Sequence, residues 1–266
     1  MQRINLIGGG FQHSPSTSGH KPLFIEWIKN GSSAPISIYV DFGMYDNTNP
    51  NTKNYGWLVE SKTINGDLYE WCKNNIELLR NKFILVFTHD VELTKLSNIF
   101  ALTQTSGKSF IPFGDIYPKN KLVSMIASNK VMCEEHKFRQ IIINKFSEKC
   151  DHFGYGYKVI PDKIDGLKDY CFSIAMENGT YSNMFSEKIT DCFMTGTIPI
   201  YYGIENINDF FNPEGIITLD SNFKIEDLNF ELYNSKLDAV KDNFKKANEL
   251  LIAEDYLFEK YLKYEI

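Results

Sequence analysis

A chain of 266 residues with 43% apolar content can bury one large core or two of ordinary size. Its formal net charge is −6, and of its 28 basic residues only Arg3, Arg80 and Arg139 are arginine. That balance excludes the extended basic footprint of a nucleic-acid-binding domain and leaves small anions, held by local lysines, as its charged ligands. No apolar stretch reaches the roughly 18 to 20 residues needed to cross a bilayer, and the apolar part of Met1–Gly10 is too short for a signal peptide. The chain reads as cytoplasmic, with no integral membrane segment and at most a peripheral membrane association. Cys72, Cys133, Cys150, Cys171 and Cys192 form an odd set without a C-x-x-C pair, which predicts reduced and mostly buried thiols. Nothing in the sequence fixes an oligomeric state.

Arg3–Ile7 has the composition of a short strand and runs into Gly8-Gly9-Gly10. Pro22–Lys29 spaces its apolar residues as a helix, and Ile36–Val40 reads as a strand ending at Asp41. After the polar loop Asn47–Asn54, Gly56–Glu60 returns as a strand. Asp67–Arg80 follows as a helix with Leu68, Trp71, Ile76 and Leu79 on one side, and Lys82–Phe87 as a strand of high β-propensity. His89-Asp90 then stands at a strand end, where Asp90 either lines a site or, the favoured reading, caps the next helix. From Ser97 to Asn120 the pattern breaks around Phe110, Pro112, Phe113 and Pro118, a connection between domains or a functional loop.

The second half opens with a strand at Lys121–Ala127 and a helix at about Glu134–Phe146, followed by Asp151–Tyr157. Cys171–Met176 is an apolar run suited to a buried strand, Ser186 can cap a helix carrying Glu187 and Lys188 in its first turn, and Gly215–Leu219 closes the series. Strand and helix alternation with short connections favours a parallel sheet in each half. At the carboxyl edge of such a sheet, backbone N–H groups and an ammonium donate to phosphate while a carboxylate binds ribose hydroxyls, so nucleotide binding is the first hypothesis. Lys245–Lys263 mixes acids and lysines with apolar residues at helical spacing, which predicts a docked helix rather than a membrane-surface one.

The same residues carry a family resemblance. Glu177-Asn178, eight residues, Glu187-Lys188-Ile189, then Gly196-Thr197-Ile198-Pro199-Ile200-Tyr201-Tyr202-Gly203 and Asp209-Phe210-Phe211-Asn212-Pro213 resemble the signature of the α1,3-fucosyltransferases, glycosyltransferase family 10. Weaker similarity runs back to about Leu122, and the first 120 residues match only loosely. The resemblance implies an α/β fold of GT-B type: two Rossmann-like domains facing a cleft, with a C-terminal helix packing back across. Residues 1–117 would form the acceptor side, 118–240 the nucleotide-sugar domain, and 241–266 the helix returning to the first domain. The implied activity is inverting transfer of fucose from GDP-fucose to a glycan hydroxyl, of α1,3 type. Alternatives are another nucleotide sugar, or a nucleotide- or glycan-binding protein without turnover.

Such a reaction must hold the nucleotide, neutralise the departing diphosphate and take a proton from the acceptor. Lys188 suits the diphosphate and Glu187 the ribose, and by resemblance they are the family's donor-binding pair, with Asn178 lining the same pocket. Glu60 follows an apolar strand and fits the family's catalytic glutamate of the N-terminal domain. His13, past the triglycine, is the competing base, because imidazole chemistry suits proton transfer near neutral pH. Many relatives place a cation on the diphosphate in the stretch equivalent to Phe153–Lys158; here Tyr155 would bring a hydroxyl or Lys158 a point charge. Arg139 either reaches phosphate or holds a structural network. The histidines are scattered and no Asp-x-Asp occurs, so no metal or other cofactor is expected, in agreement with the family.

Overall fold

Strands joined by helical crossovers return in the same direction, and in this computed structural model every strand ladder is parallel. It describes residues 1–9, 11–29, 31, 33–103, 107–131 and 133–264. The chain divides into two units: unit 1 is Met1–Ser106, Ser182–Met184 and Leu251–Ile266, and unit 2 is Gly107–Tyr181 and Phe185–Leu250. The boundaries thus fall at 106/107 and 250/251, against the expected 117/118 and 240/241.

Unit 1 is built on β1 (Gln2–Gly8), β2 (Ile25–Ile28), β3 (Ile36–Val40), β4 (Lys53–Trp57), β5 (Val86–Thr88) and β6 (Phe100–Leu102), in the order β2-β1-β3-β4-β5-β6. Its helices are α1 (Gly66–Asn74), α2 (Ile76–Lys82) and α3 (Val91–Leu96). All five residues of β3 are buried, as expected of a central strand covered on both faces.

Several elements depart from the sequence expectation for identifiable reasons. Pro22–Lys29 is not a helix: Ile25–Ile28 pairs as an edge strand with β1, while Leu23 and Phe24 N–H groups donate to Asp255 Oδ1 at 2.8 and 3.2 Å. The expected helix Asp67–Arg80 is two, broken at Asn75, whose φ is −128° and whose Nδ2 donates to the Trp71 carbonyl. β4 begins at Lys53 and ends at Trp57, so Glu60 lies beyond the strand. Helix α2 extends to Lys82 and takes over the start of the strand expected at Lys82–Phe87. The stretch expected to be a connection supplies the sixth strand, β6, and positions 104–106 within it lie outside the described residues, as does Gly10.

Unit 2 carries β7 (Lys121–Ile126), β8 (Asp151–Phe153), β9 (Tyr170–Met176), β10 (Ile198–Tyr202) and β11 (Ile217–Thr218), in the order β11-β10-β9-β7-β8. Around them lie α4 (Glu134–Lys145), α5 (Glu187–Phe193), α6 (Phe230–Ser235) and α7 (Leu237–Glu249). One face of the sheet packs Phe172, Ile174, Met176, Ile198 and Ile200 against Ile142, Ile143 and Phe146 of α4 and its C-terminal end, and against Tyr233 of α6. On the other, α5 brings Ile189, Cys192 and Phe193 against Phe211 and Ala247.

The expected single terminal helix is interrupted at Leu250, whose backbone leaves the helical region (ψ 133°). Helix α8 (Ala253–Leu257) and a π-turn (Phe258–Leu262) then enter the core of unit 1, where Ala253, Leu257 and Leu262 join Ile4, Leu6, Trp57 and Phe87. Fully buried Glu254 accepts Thr17 N–H at 2.7 Å and Thr17 Oγ1–H at 3.1 Å, and burial pushes its carboxyl from 4.5 up to about 7. A carboxyl that titrates higher when folded contributes its full stability below about pH 4.5 and loses it as pH rises through 7. We expect urea unfolding of the wild type to lose on the order of 1–3 kcal/mol from this group across that window, and Glu254→Gln to flatten the loss.

Candidate active site

All seven residues of β9 are buried, and the first residue beyond it, Glu177, continues the ladder by donating its N–H to the Tyr202 carbonyl at 2.8 Å. Its carboxylate, 7% exposed, turns toward the start of α5. Oε1 accepts the Ser186 N–H at 2.9 Å; Oε2 accepts the Ser186 hydroxyl at 2.7 Å and the Lys188 ammonium at 3.3 Å. Ser186 Oγ also accepts from Lys188 Nζ at 2.8 Å and, at 3.4 Å, from its N–H, so it caps the helix as the sequence predicts. Helix α5 is only seven residues long, and the half-buried ammonium, more than a helix dipole, is the group that offers positive charge here.

Glu187 Oε1 lies 2.8 Å from Lys163 Nζ, which also meets Asp191 Oδ2 at 2.9 Å and stands 4.5 Å over the Phe110 ring. Asp191, itself buried, accepts the Ser109 hydroxyl at 2.7 Å and the Phe110 N–H at 2.8 Å. The result is a row of alternating charge, Glu177, Lys188, Glu187, Lys163, Asp191. Burial works against the charges of Lys188, Glu187 and Lys163, but there the neighbours win. The carboxylates of Glu177 and Glu187 hold the Lys188 ammonium above its ordinary range, and Lys188 and Lys163 hold Glu187 below the ordinary carboxylate range. Asp191 is the exception, since burial keeps its carboxyl raised despite Lys163.

Asn178 Oδ1 is 3.0 Å from Nε2 of His136, a buried residue on α4 whose imidazole is held below its ordinary value by burial and by Arg139. Arg139 is the structural member of that helix: its Nη2 donates to the Ser128 and Lys130 carbonyls, both at 3.1 Å, and fixes the turn that leaves β7. Tyr155 and Lys158 sit on the turn after β8. Gly156 there has φ +91°, and a Cβ on it would fall 2.5 Å from the Asn129 side chain, so glycine is required. Tyr155 is 75% exposed, and Lys158 Nζ lies 5.5 Å over the Phe153 ring. Among the described residues, no hydrogen bond or ion pair joins Tyr155 or Lys158 to Glu177, Glu187 or Lys188.

In unit 1 the side chain of Glu60 is exposed while its backbone is held on both sides. Its N–H donates to Asp41 Oδ1 at 3.3 Å and its carbonyl accepts the Tyr69 hydroxyl at 2.8 Å. Tyr69 Oη lies 3.2 Å from His89 Nε2, and burial drives that imidazole down to about 4, keeping it neutral. Asp90 accepts the Glu92 and Leu93 N–H groups and caps α3, as favoured from the sequence. His13 is exposed on the turn after β1, in a segment whose Phe11 and Gln12 carbonyls accept from Lys29 Nζ. Gly8 serves packing: a Cβ there would come within 2.7 Å of the Gly43 backbone.

Three residues of these sites were not singled out from the sequence. Glu177 lies inside the motif but had no role assigned. Lys163 is 24 positions from Glu187, a separation that carries no periodic signal, and Asp41 reads only as the polar end of a strand. Among the described residues no group of three or more His, Cys, Asp and Glu side chains is placed to hold a metal ion, and no helix is long and apolar enough to cross a membrane.

Residues 116–249 match the model of glycosyltransferase family 10 (fucosyltransferase), C-terminal part. The α-(1,3)-fucosyltransferase FucT of Helicobacter pylori is 29% identical over 107 residues, 40% of this chain, and the match spans only 20% of that relative's length. Crystal structures of an α1,3-fucosyltransferase superpose with a TM-score of 0.56 at 15% identity and, with GDP-fucose, 0.53 at 17%. Each covers 98% of this chain, with 87% and 88% of the solved chains matched. At these identities the likeness is one of fold: the α/β architecture of GT-B type, with a parallel sheet in each unit.

Removing the Glu177 carboxylate strands the Ser186 N–H and uncompensates a partly buried ammonium. We expect Glu177→Ala to lower stability by about 2 kcal/mol, less than for a fully buried pair because Lys188 keeps some solvent, and Glu177→Gln to cost about half that; chemical denaturation reads both.

Proposed function

Since this chain belongs to glycosyltransferase family 10, we propose that it moves fucose from GDP-fucose to a glycan hydroxyl, with inversion and in an α1,3 linkage. The observation that carries the reading is the placement of Lys188. Its ammonium is half-buried at the carboxyl end of β9, tethered at 3.3 Å to Glu177 and flanked by Glu187. In a site shielded from water, an ammonium held in place is worth several kcal/mol to a leaving group whose negative charge grows in the transition state.

The acceptor oxygen attacks the anomeric carbon from the face opposite the diphosphate. The bond from that carbon to the phosphate oxygen breaks, and its electron pair leaves with GDP. Lys188 offsets the charge on the departing diphosphate, so we propose a reaction that needs no metal. Glu187, kept ionised by Lys188 and Lys163, accepts ribose hydroxyls, and Asn178, whose Oδ1 is engaged by His136, offers its Nδ2 as a donor to the sugar nucleotide. Tyr155 and Lys158 are assigned to the diphosphate as hydroxyl and point charge. Arg139 acts by holding the turn after β7. Glu60 takes the acceptor proton; its fixed backbone and exposed carboxylate support it over His13, whose turn is tied by carbonyl contacts to Lys29. We place the protein in the cytoplasm, where its buried free thiols Cys72, Cys150, Cys171 and Cys192 stay reduced.

Calorimetry with GDP-fucose, GDP-mannose and a UDP-sugar, followed by GDP release on a glycan panel, tests this reading. Lys188→Ala should weaken GDP-fucose binding by at least about tenfold, and Glu60→Gln should bind donor normally while losing about a hundredfold or more in turnover. Full turnover by Glu60→Gln would remove it as the base. Tight donor binding without turnover on any glycan would make the protein a binding module, and preference for another donor would reassign the sugar.

A further inference from the structure

Asp41 follows β3 directly and is 5% exposed, with a left-handed backbone (φ +48°) that a residue other than glycine adopts only under strain. Its carboxylate reaches the segment just past β4, where Oδ1 accepts the N–H groups of Val59 at 2.9 Å and Glu60 at 3.3 Å. The Glu60 carbonyl is pinned by buried Tyr69. A three-residue extension past β4 would ordinarily leave such groups to water. Here the N–H and the carbonyl of one residue, Glu60, are held by buried side chains while its own side chain stays exposed.

We propose that Asp41 is a positioning residue for the acceptor base: its ionised carboxylate fixes residues 59 and 60 and so aims the Glu60 side chain, and protonation releases that hold. The inference rests on the assignment of Glu60 made above. Burial pushes the Asp41 carboxyl from 3.8 up to about 6, against the two N–H bonds that favour its charged form. The groups that act on it are the Glu60 carboxylate, the Asn65 amide and Tyr69 of α1, and Tyr69 in turn neighbours Cys72 of α1 and His89 and Asp90 beyond β5. Burial raises Tyr69 and Cys72 well above neutrality and lowers His89 to about 4, so these three keep one protonation state between about pH 5 and 8. Turnover should therefore fall as pH drops through about 6, where Asp41 takes up its proton.

The test combines 15N–1H spectra of the wild type with kcat and donor KM across about pH 5 to 8 for wild type, Asp41→Asn, Tyr69→Phe and Glu60→Gln. The Val59 and Glu60 amide signals should titrate together with a midpoint near 6. Asp41→Asn should abolish that titration, flatten the acid limb and lower kcat about tenfold, with donor KM within about twofold. Tyr69→Phe, which frees only the Glu60 carbonyl, should lower kcat and keep the acid limb. Amides that do not titrate near 6, or an Asp41→Asn enzyme with wild-type kcat and acid limb, overturn the inference; an inactive Glu60→Gln in the same set shows that the base assignment survives. Full turnover by Glu60→Gln overturns both. If Asp41→Asn does not fold, the wild-type amide titration decides alone.

Discussion

The functional reading depends on one buried carboxylate, Glu177, and on what it holds. A lysine that is partly desolvated loses hydration, and without a partner it would release its proton or swing to solvent. Glu177 prevents both by pairing with the ammonium while anchoring Ser186 through backbone and hydroxyl. In the proposed function, a diphosphate arriving at this ammonium meets a charge already in place, so less of its binding free energy goes into ordering a flexible side chain.

The carboxylate row around it shapes selectivity as much as affinity. Three acids and two lysines leave the row with a formal charge of −1, so a bare anion gains little from approaching it at random. In the proposed function, the row favours a ligand that presents hydroxyls to Glu187 and negative oxygens to Lys188. Lys163 adds to this by keeping Glu187 ionised and by locking it to Asp191, whose second oxygen fixes the backbone at Phe110. An acid tied in this way to the protein interior, as the one proposed to bind ribose is, cannot fold away to solvent.

Much of this was legible in the sequence where burial is symmetric. β3 and β9 are covered on both faces, so they read as uninterrupted apolar runs, and α5 announces itself through Ser186. What failed were elements whose limits come from distant partners. The segment at Pro22–Lys29 becomes a strand because β1 offers an edge and Asp255, more than two hundred residues on, takes its N–H groups. The long helix after Gly66 breaks where Asn75 bonds back to Trp71. The residues around the site divide in the same way: Glu187 and Lys188 announce themselves through motif and cap, whereas Lys163 and Asp41 are placed by folds of the chain that no local pattern encodes.

A single device recurs in both units. An acid at or just past the end of a buried strand accepts backbone N–H from a neighbouring segment: Glu177 that of Ser186, Asp41 those of Val59 and Glu60. In each case the acid is nearly inaccessible and the segment it grips carries the charged side chain that meets solvent, Lys188 in one unit and Glu60 in the other. Glu254, Asp255 and Asp191 use the same bond to hold Thr17, Leu23 and Phe110. Buried acids of this kind are costly unless fully bonded, and backbone N–H groups satisfy them without adding a second charge to desolvate. The excess of acidic residues in the chain is thus in part structural, and the segments it secures include both of those that carry the proposed chemistry.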